Sequence, residues 1–124
     1  ENGLLNGICY VYHPNQRIQN MWYYKDGKAE GLQLTFYESG KLFALEISIN
    51  DKRQGPFNVY YESGEISLEG NFKDDELHGK NFMYYKNGKL KQKKYFKNGK
   101  KEGPFENYFE NGELKNKGEY KDGD

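Results

Sequence analysis

Residues 55–72 read Gly55-Pro56-Phe57-Asn58-Val59-Tyr60-Tyr61-Glu62-Ser63-Gly64-Glu65-Ile66-Ser67-Leu68-Glu69-Gly70-Asn71-Phe72. Two short runs of aromatic and β-branched residues flank a Ser-Gly pair, the signature of a hairpin. Treated as a two-residue turn, Ser63-Gly64 sets Tyr61 opposite Ile66, Val59 opposite Leu68 and Phe57 opposite Gly70. A ring beside a strand glycine covers backbone that the glycine leaves bare, which supports the register independently of the turn.

Outward from this stretch the pattern recurs. Gly7, Gly31, Gly55, Gly79 and Gly103 are spaced 24 residues apart. Counted from each of these as position zero, positions five and six are Tyr12-His13, Phe36-Tyr37, Tyr60-Tyr61, Tyr84-Tyr85 and Tyr108-Phe109. Position nine is glycine except for Gln16, and position eleven is Ile18, Leu42, Ile66, Leu90 or Leu114. Position seventeen is aromatic except for Ser48. A second turn signature appears as Asp26-Gly27, Asn98-Gly99 and Asp122-Gly123. Two turns per unit leave two strands of about six or seven residues.

The fold expected is all-β: an elongated, twisted antiparallel meander of tandem 24-residue hairpins, with about ten strands in an open single-layer sheet. Residues 1–124 form one repeat domain whose units begin near 7, 31, 55, 79 and 103. The opening Glu1-Asn2-Gly3 reads as a turn cut from its context, as in a fragment of a longer protein. Gln16, preceded by Pro14, implies that the first turn differs from the others.

Alternation assigns two faces. One collects the aromatic–aliphatic pairs, each worth roughly 0.2–1 kcal/mol. The other is polar in the third to fifth units, where Asn58 faces Glu69, and Tyr84 and Tyr108 face Lys91 and Lys115. In the first two units that second face carries Ile8, Tyr10, Met21, Tyr23, Leu32, Leu34, Phe36, Phe43, Leu45 and Ile47. Either twist and irregular packing bury these within the chain, or they meet a partner, a second copy or an upstream segment. Ile8, Tyr10, Tyr23, Leu32, Leu34, Phe36, Phe43, Leu45 and Ile47 are the candidate partner surface.

Composition narrows the function. Apolar residues are only 35% of the chain, too few for a thick core, whereas the 17% aromatic share argues against disorder. Nineteen basic and nineteen acidic residues cancel, so no global field draws nucleic acid, which is not an expected partner. The charge is nevertheless segregated. Residues 79–102 hold nine lysines and one acid, between two units in which acids outnumber bases. This sets register between units, or it makes an anion surface from Lys86, Lys89, Lys91, Lys93 and Lys94 with Tyr84 and Tyr95. No run of about 18 apolar residues is present to span a bilayer as a helix. The single Cys9 allows no disulfide framework and leaves the compartment open between cytoplasm and envelope.

No catalytic residue, metal site or cofactor is expected. His13 and His78 occupy unrelated repeat positions and read as solvated side chains. Cys9 falls opposite Trp22 as a packing residue. The acidic run Asp74-Asp75-Glu76-Leu77-His78 lacks the glycine and ligand spacing of a calcium loop and reads as a turn.

The unit G-x-F-x-x-Y-Y-E-x-G-x-[IL], followed by Gly-x-Phe/Tyr-Lys-Asp/Asn-Gly, resembles the MORN repeat in its bacterial variant, best in Gly55 to Phe72 and Gly103 to Gly123. The resemblance implies a non-catalytic module for protein–protein interaction or scaffolding. It also implies two alternatives: a phospholipid- or anion-binding role at a membrane, and an antitoxin-like role against a partner toxin. Similar repeats adorn some phosphatidylinositol-phosphate kinases. This chain has neither a nucleotide-cradling glycine loop nor the length for a kinase domain.

Overall fold

The computed structural model describes residues 3–123. These form one antiparallel sheet of β1 (Gly7–Tyr12), β2 (Ile18–Lys25), β3 (Lys28–Phe36), β4 (Leu42–Ile49), β5 (Lys52–Arg53), β6 (Gly55–Tyr60), β7 (Ile66–Lys73), β8 (Glu76–Tyr84), β9 (Leu90–Lys97), β10 (Lys100–Lys101), β11 (Gly103–Tyr108) and β12 (Leu114–Tyr120). Ten strands follow chain order across the sheet, as the meander requires. The other two, β5 and β10, pair with β4 and β9 and lead into β6 and β11.

The hairpin after each aromatic pair differs from the two-residue turn that Ser63-Gly64 suggested. Tyr61 donates its N–H to the Glu65 carbonyl at 2.8 Å and accepts the Gly64 N–H at 2.9 Å. The loop is therefore three residues long and ends in a left-handed Gly64, φ 107°. Tyr60, not Tyr61, then faces Ile66, and a bulge before Leu68 restores the expected pairs Val59–Leu68 and Phe57–Gly70. The first hairpin is the same turn, contrary to expectation: Gln16 takes φ 73° and His13 makes both hydrogen bonds. Pro14, at the second turn position, suits the backbone angle required there.

The alternate hairpins are tight two-residue turns with both central residues at positive φ. They fall at Asp26-Gly27, Asn50-Asp51, Asp74-Asp75 and Asn98-Gly99, and Asp122-Gly123 takes the same backbone angles after β12. Asp51 and Asp75 stand where the others have glycine. Their carboxylates accept the backbone N–H of Ala29 at 2.7 Å and of Arg53 at 2.8 Å, which offsets the conformational cost.

Two kinds of glycine hold the sheet for different reasons. The position-zero glycines have φ between 81° and 106°, and at Gly55 an added Cβ would meet nothing within 4 Å. Backbone angle selects them. Gly70 has ordinary strand geometry, but an added Cβ would lie 2.6 Å from the Phe57 ring. Space selects it. The same holds for Gly118 beneath Phe105, at 2.7 Å.

The sheet encloses little. Among the apolar side chains of the described residues only Phe57 and Phe72 are nearly fully buried, at 7% and 8% exposure, with ring centroids 4.4 Å apart. Cohesion must therefore come from strand pairing and from contacts between successive units.

Candidate protein-interaction surface

Contacts between units recur at fixed intervals and keep the strands in register. Tyr37 donates its hydroxyl to the Tyr60 carbonyl at 2.7 Å, Tyr61 to Tyr84 at 2.5 Å, and Tyr85 to Tyr108 at 2.7 Å. His13 holds the corresponding position, and its Nε2 bonds the Phe36 carbonyl at 2.9 Å. At the tight turns, Gly27, Asp51, Asp75, Gly99 and Gly123 each donate an N–H to a carbonyl 22 residues earlier, at 2.8–3.0 Å. The preceding turn residue is served by the side chain before four of the position-zero glycines, while before Gly55 the Gln54 amide donates to the Asp74 carboxylate at 2.6 Å. Asn6 accepts from Asp26, Glu30 from Asn50, His78 from Asn98 and Glu102 from Asp122. Both histidines thus tie unit to unit instead of standing free in solvent, and His78 lies within β8.

This lattice aligns side chains into rows running across all ten principal strands. One row is Tyr10–Met21–Leu34–Leu45–Asn58–Glu69–Phe82–Lys93–Glu106–Lys117. Beside it run the pairs Ile8–Tyr23 and Leu32–Ile47. The first four members of the row are apolar, and the rest are polar or charged apart from Phe82. An apolar strip therefore covers β1 to β4 on one face of a single-layer sheet. Ile8 and Tyr10 are each 44% exposed and Leu32 43%. Tyr23, Leu34, Phe36, Leu45 and Ile47 are half-buried. No second layer of described residues covers the strip.

Phe43 leaves this group. It is the extra residue of the bulge in β4, so strict alternation fails there, and its ring meets Tyr37 edge-on at 5.1 Å. The same bulge position explains Lys91 and Lys115, which lie over the rings of Tyr85 and Phe109. Tyr84 and Tyr108 face Leu90 and Leu114, not the two lysines.

The candidate anion residues do not converge. Lys86 lies over the Tyr61 ring, and Lys89 bonds the Asn111 carbonyl at 3.1 Å. Lys93 lies over Phe82 and 3.7 Å from Glu106, and Tyr95 meets Phe82 edge-on. Tyr84 donates to Glu69 at 2.7 Å; burial and then that carboxylate push its phenol up to about 12. Lys94 pairs with Asn81 on the opposite face. Interleaved Glu69 and Glu106 compensate the lysine-rich unit on its own face, which favours the register-setting role of the charge pattern.

Cys9 pairs with Trp22 as the alternation required. The acidic run is part of a tight turn and the start of β8. No cluster of three or more His, Cys, Asp or Glu suited to a metal occurs among the described residues.

No curated protein matches the chain. The profile of the MORN repeat variant matches four tandem segments, residues 29–47, 53–74, 77–98 and 101–122. The first unit, which carries Gln16 and His13, lies outside these segments. With four of the five units matched, and with the hairpin geometry that the repeats specify, the chain belongs to the MORN repeat variant family.

Proposed function

We propose that this chain is a non-catalytic module that docks a protein partner on the outer face of β1 to β4. MORN repeats are in general modules for protein or membrane interaction. The observation that carries the protein reading is the row Tyr10–Met21–Leu34–Leu45 with its flanking pairs, apolar and open on a sheet one layer thick. Apolar strips of this kind are covered by partners in soluble proteins. The anion-binding alternative is weakened by the dispersal of Lys86, Lys89, Lys91, Lys93 and Lys94 over two faces and a turn edge. An antitoxin-like role is one form of the proposed docking and shares its test.

Leu34→Glu places a charge in the centre of the strip. The reading requires that it abolish complex formation while leaving β6 to β12 folded. Crosslinking capture from the native host with wild type, Leu34→Glu and Lys86→Glu separates the readings. A partner lost only with Leu34→Glu supports docking on the strip. A partner lost only with Lys86→Glu moves the function to the lysines. Global unfolding by Leu34→Glu would show that the strip is internal core.

A further inference from the structure

One row of side chains on the face opposite the apolar strip changes character along the sheet. Where one unit meets the next, its paired residues are Asn20–Thr35, Ala44–Val59, Leu68–Met83 and Gln92–Asn107. The two central junctions are apolar. The last is a pair of amides, and Asn116 on β12 extends it. Gln92 donates to the side-chain oxygen of Asn107 at 2.8 Å, and Asn107 donates to that of Asn116 at 2.8 Å. Three amides linked in this way leave an oxygen free at one end and an NH2 group at the other, whichever direction the chain runs.

All three amides line a cleft of about 150 Å³, together with Met83, Tyr85, Lys91 and Lys115. The two lysines occupy the bulge position, which is Gln19, Phe43 and Ser67 in the first three units. Only the last junction therefore combines amides with positive charge. Among the described residues no carboxylate lines the cleft, and neither lysine is in an ion pair. They lie over the rings of Tyr85 and Phe109, at 5.6 Å and 5.8 Å from the centroids. At exposed sites such contacts are weak, and an anion competes with them. Of the lysines weighed above for an anion surface, only Lys91 belongs to this cleft.

We propose that this cleft binds a hydroxylated carboxylate the size of one sugar ring, a hexuronate. Its carboxylate meets Lys91 and Lys115, and its hydroxyls meet the amides of Gln92, Asn107 and Asn116. A hydroxyl both donates and accepts, so it suits either free end of the amide chain; a fully ionised oxyanion offers acceptors only. A neutral sugar would leave both lysines without a counter-charge. A volume of about 150 Å³ holds one six-membered ring, and it is too small to grip an extended peptide segment. Gln92, Asn107 and Asn116 alternate with Lys93, Glu106 and Lys117, so the site lies on the face opposite the strip and does not depend on it.

Titration of sodium glucuronate into the full chain, followed by backbone and side-chain amide resonances, tests this. The expected result is saturable shifts at Gln92, Asn107 and Asn116 with a Kd of about 1 mM, and binding of glucose and of sulfate at least about tenfold weaker. Gln92→Leu/Asn107→Met copies the Leu68–Met83 junction, and Lys91→Met/Lys115→Met removes both charges. Each should weaken glucuronate binding at least about tenfold, and Leu34→Glu should leave it unchanged. Both lysines are exposed and in no ion pair, so their variant carries the comparison if the junction variant melts lower than wild type. Equal affinity for glucose, tighter binding of sulfate or of a blocked glutamyl peptide, unchanged affinity in the lysine variant, or no saturable shift up to about 50 mM would each overturn the proposal.

Discussion

The hydroxyl of Tyr61 donates to the backbone carbonyl of Tyr84, 23 residues further along and in the next repeat, at 2.5 Å. The link crosses the boundary between units at the loop end of the sheet, and the tight-turn hydrogen bonds do the same at the other end. A single-layer sheet with two well-buried apolar residues has few other means of preventing adjacent hairpins from slipping.

Removing one such hydroxyl should therefore be felt between units and not within one. Tyr61→Phe keeps the ring and should destabilise by about 1 kcal/mol. Native-state hydrogen exchange should show faster opening across β7 and β8, with little change in β1 and β2. His13→Phe should produce the corresponding effect at the first junction. Uniform acceleration throughout the chain would contradict the nearest-neighbour account.

The two kinds of glycine should respond differently to a methyl group. Gly70→Ala forces the Phe57 ring to move and should cost about 1–3 kcal/mol. Trimming the ring in Gly70→Ala/Phe57→Leu should recover part of that loss. Gly55→Ala should cost about 1–2 kcal/mol through its backbone angle, with no recovery from Phe57→Leu. Thermal melts of the five proteins, wild type included, read this directly.

Asp75 gives the sheet a dependence on acid. Its carboxyl is held below its ordinary value first by the Arg53 backbone N–H and then by the Arg53 side chain. That contribution is complete above about pH 4, where the unfolded carboxyl is ionised, and is lost as pH falls through the lower folded value. Asp75→Asn should flatten the acid limb of the stability curve. Asp75→Gly should lose the hydrogen bond yet relieve the left-handed strain, so its net change at neutral pH should be small.

Tyr84 acts at the other extreme. With its phenol pushed up to about 12, first by burial and then by Glu69, its contribution is complete below about pH 10 and is lost as pH rises towards the folded value. Tyr84→Phe should remove that part of the alkaline decline, measured as denaturant midpoint against pH.

Much of this fold was legible because the period is arithmetically regular. The 24-residue spacing implied the meander, and the ring-over-glycine pair Phe57–Gly70 came out of simple strand pairing. The errors cluster where alternation is interrupted. The extra residues at Phe43 and Lys91 follow from a three-residue loop that Ser-Gly and Asn-Gly pairs do not distinguish from a two-residue one. Asn50-Asp51 escaped recognition as a turn because it lacks glycine, although stepping 24 residues from Asp26-Gly27 lands on it. The ties made by His13 and His78 link residues 20 to 23 apart, beyond any local pattern. The apolar strip was visible in outline, since Leu32, Leu34, Leu45 and Ile47 alternate cleanly. Its openness was not visible, because that depends on the absence of a second layer over β1 to β4.

Carbene footprinting of the chain at a concentration where it sediments as a monomer addresses that openness most directly. The account predicts strong labelling of Ile8, Tyr10 and Leu32 and weak labelling of Phe57 and Phe72, with the first three protected once a partner is bound. Weak labelling of Ile8, Tyr10 and Leu32 in the isolated monomer would mean that the strip is already covered, and the docking surface proposed for it would not exist.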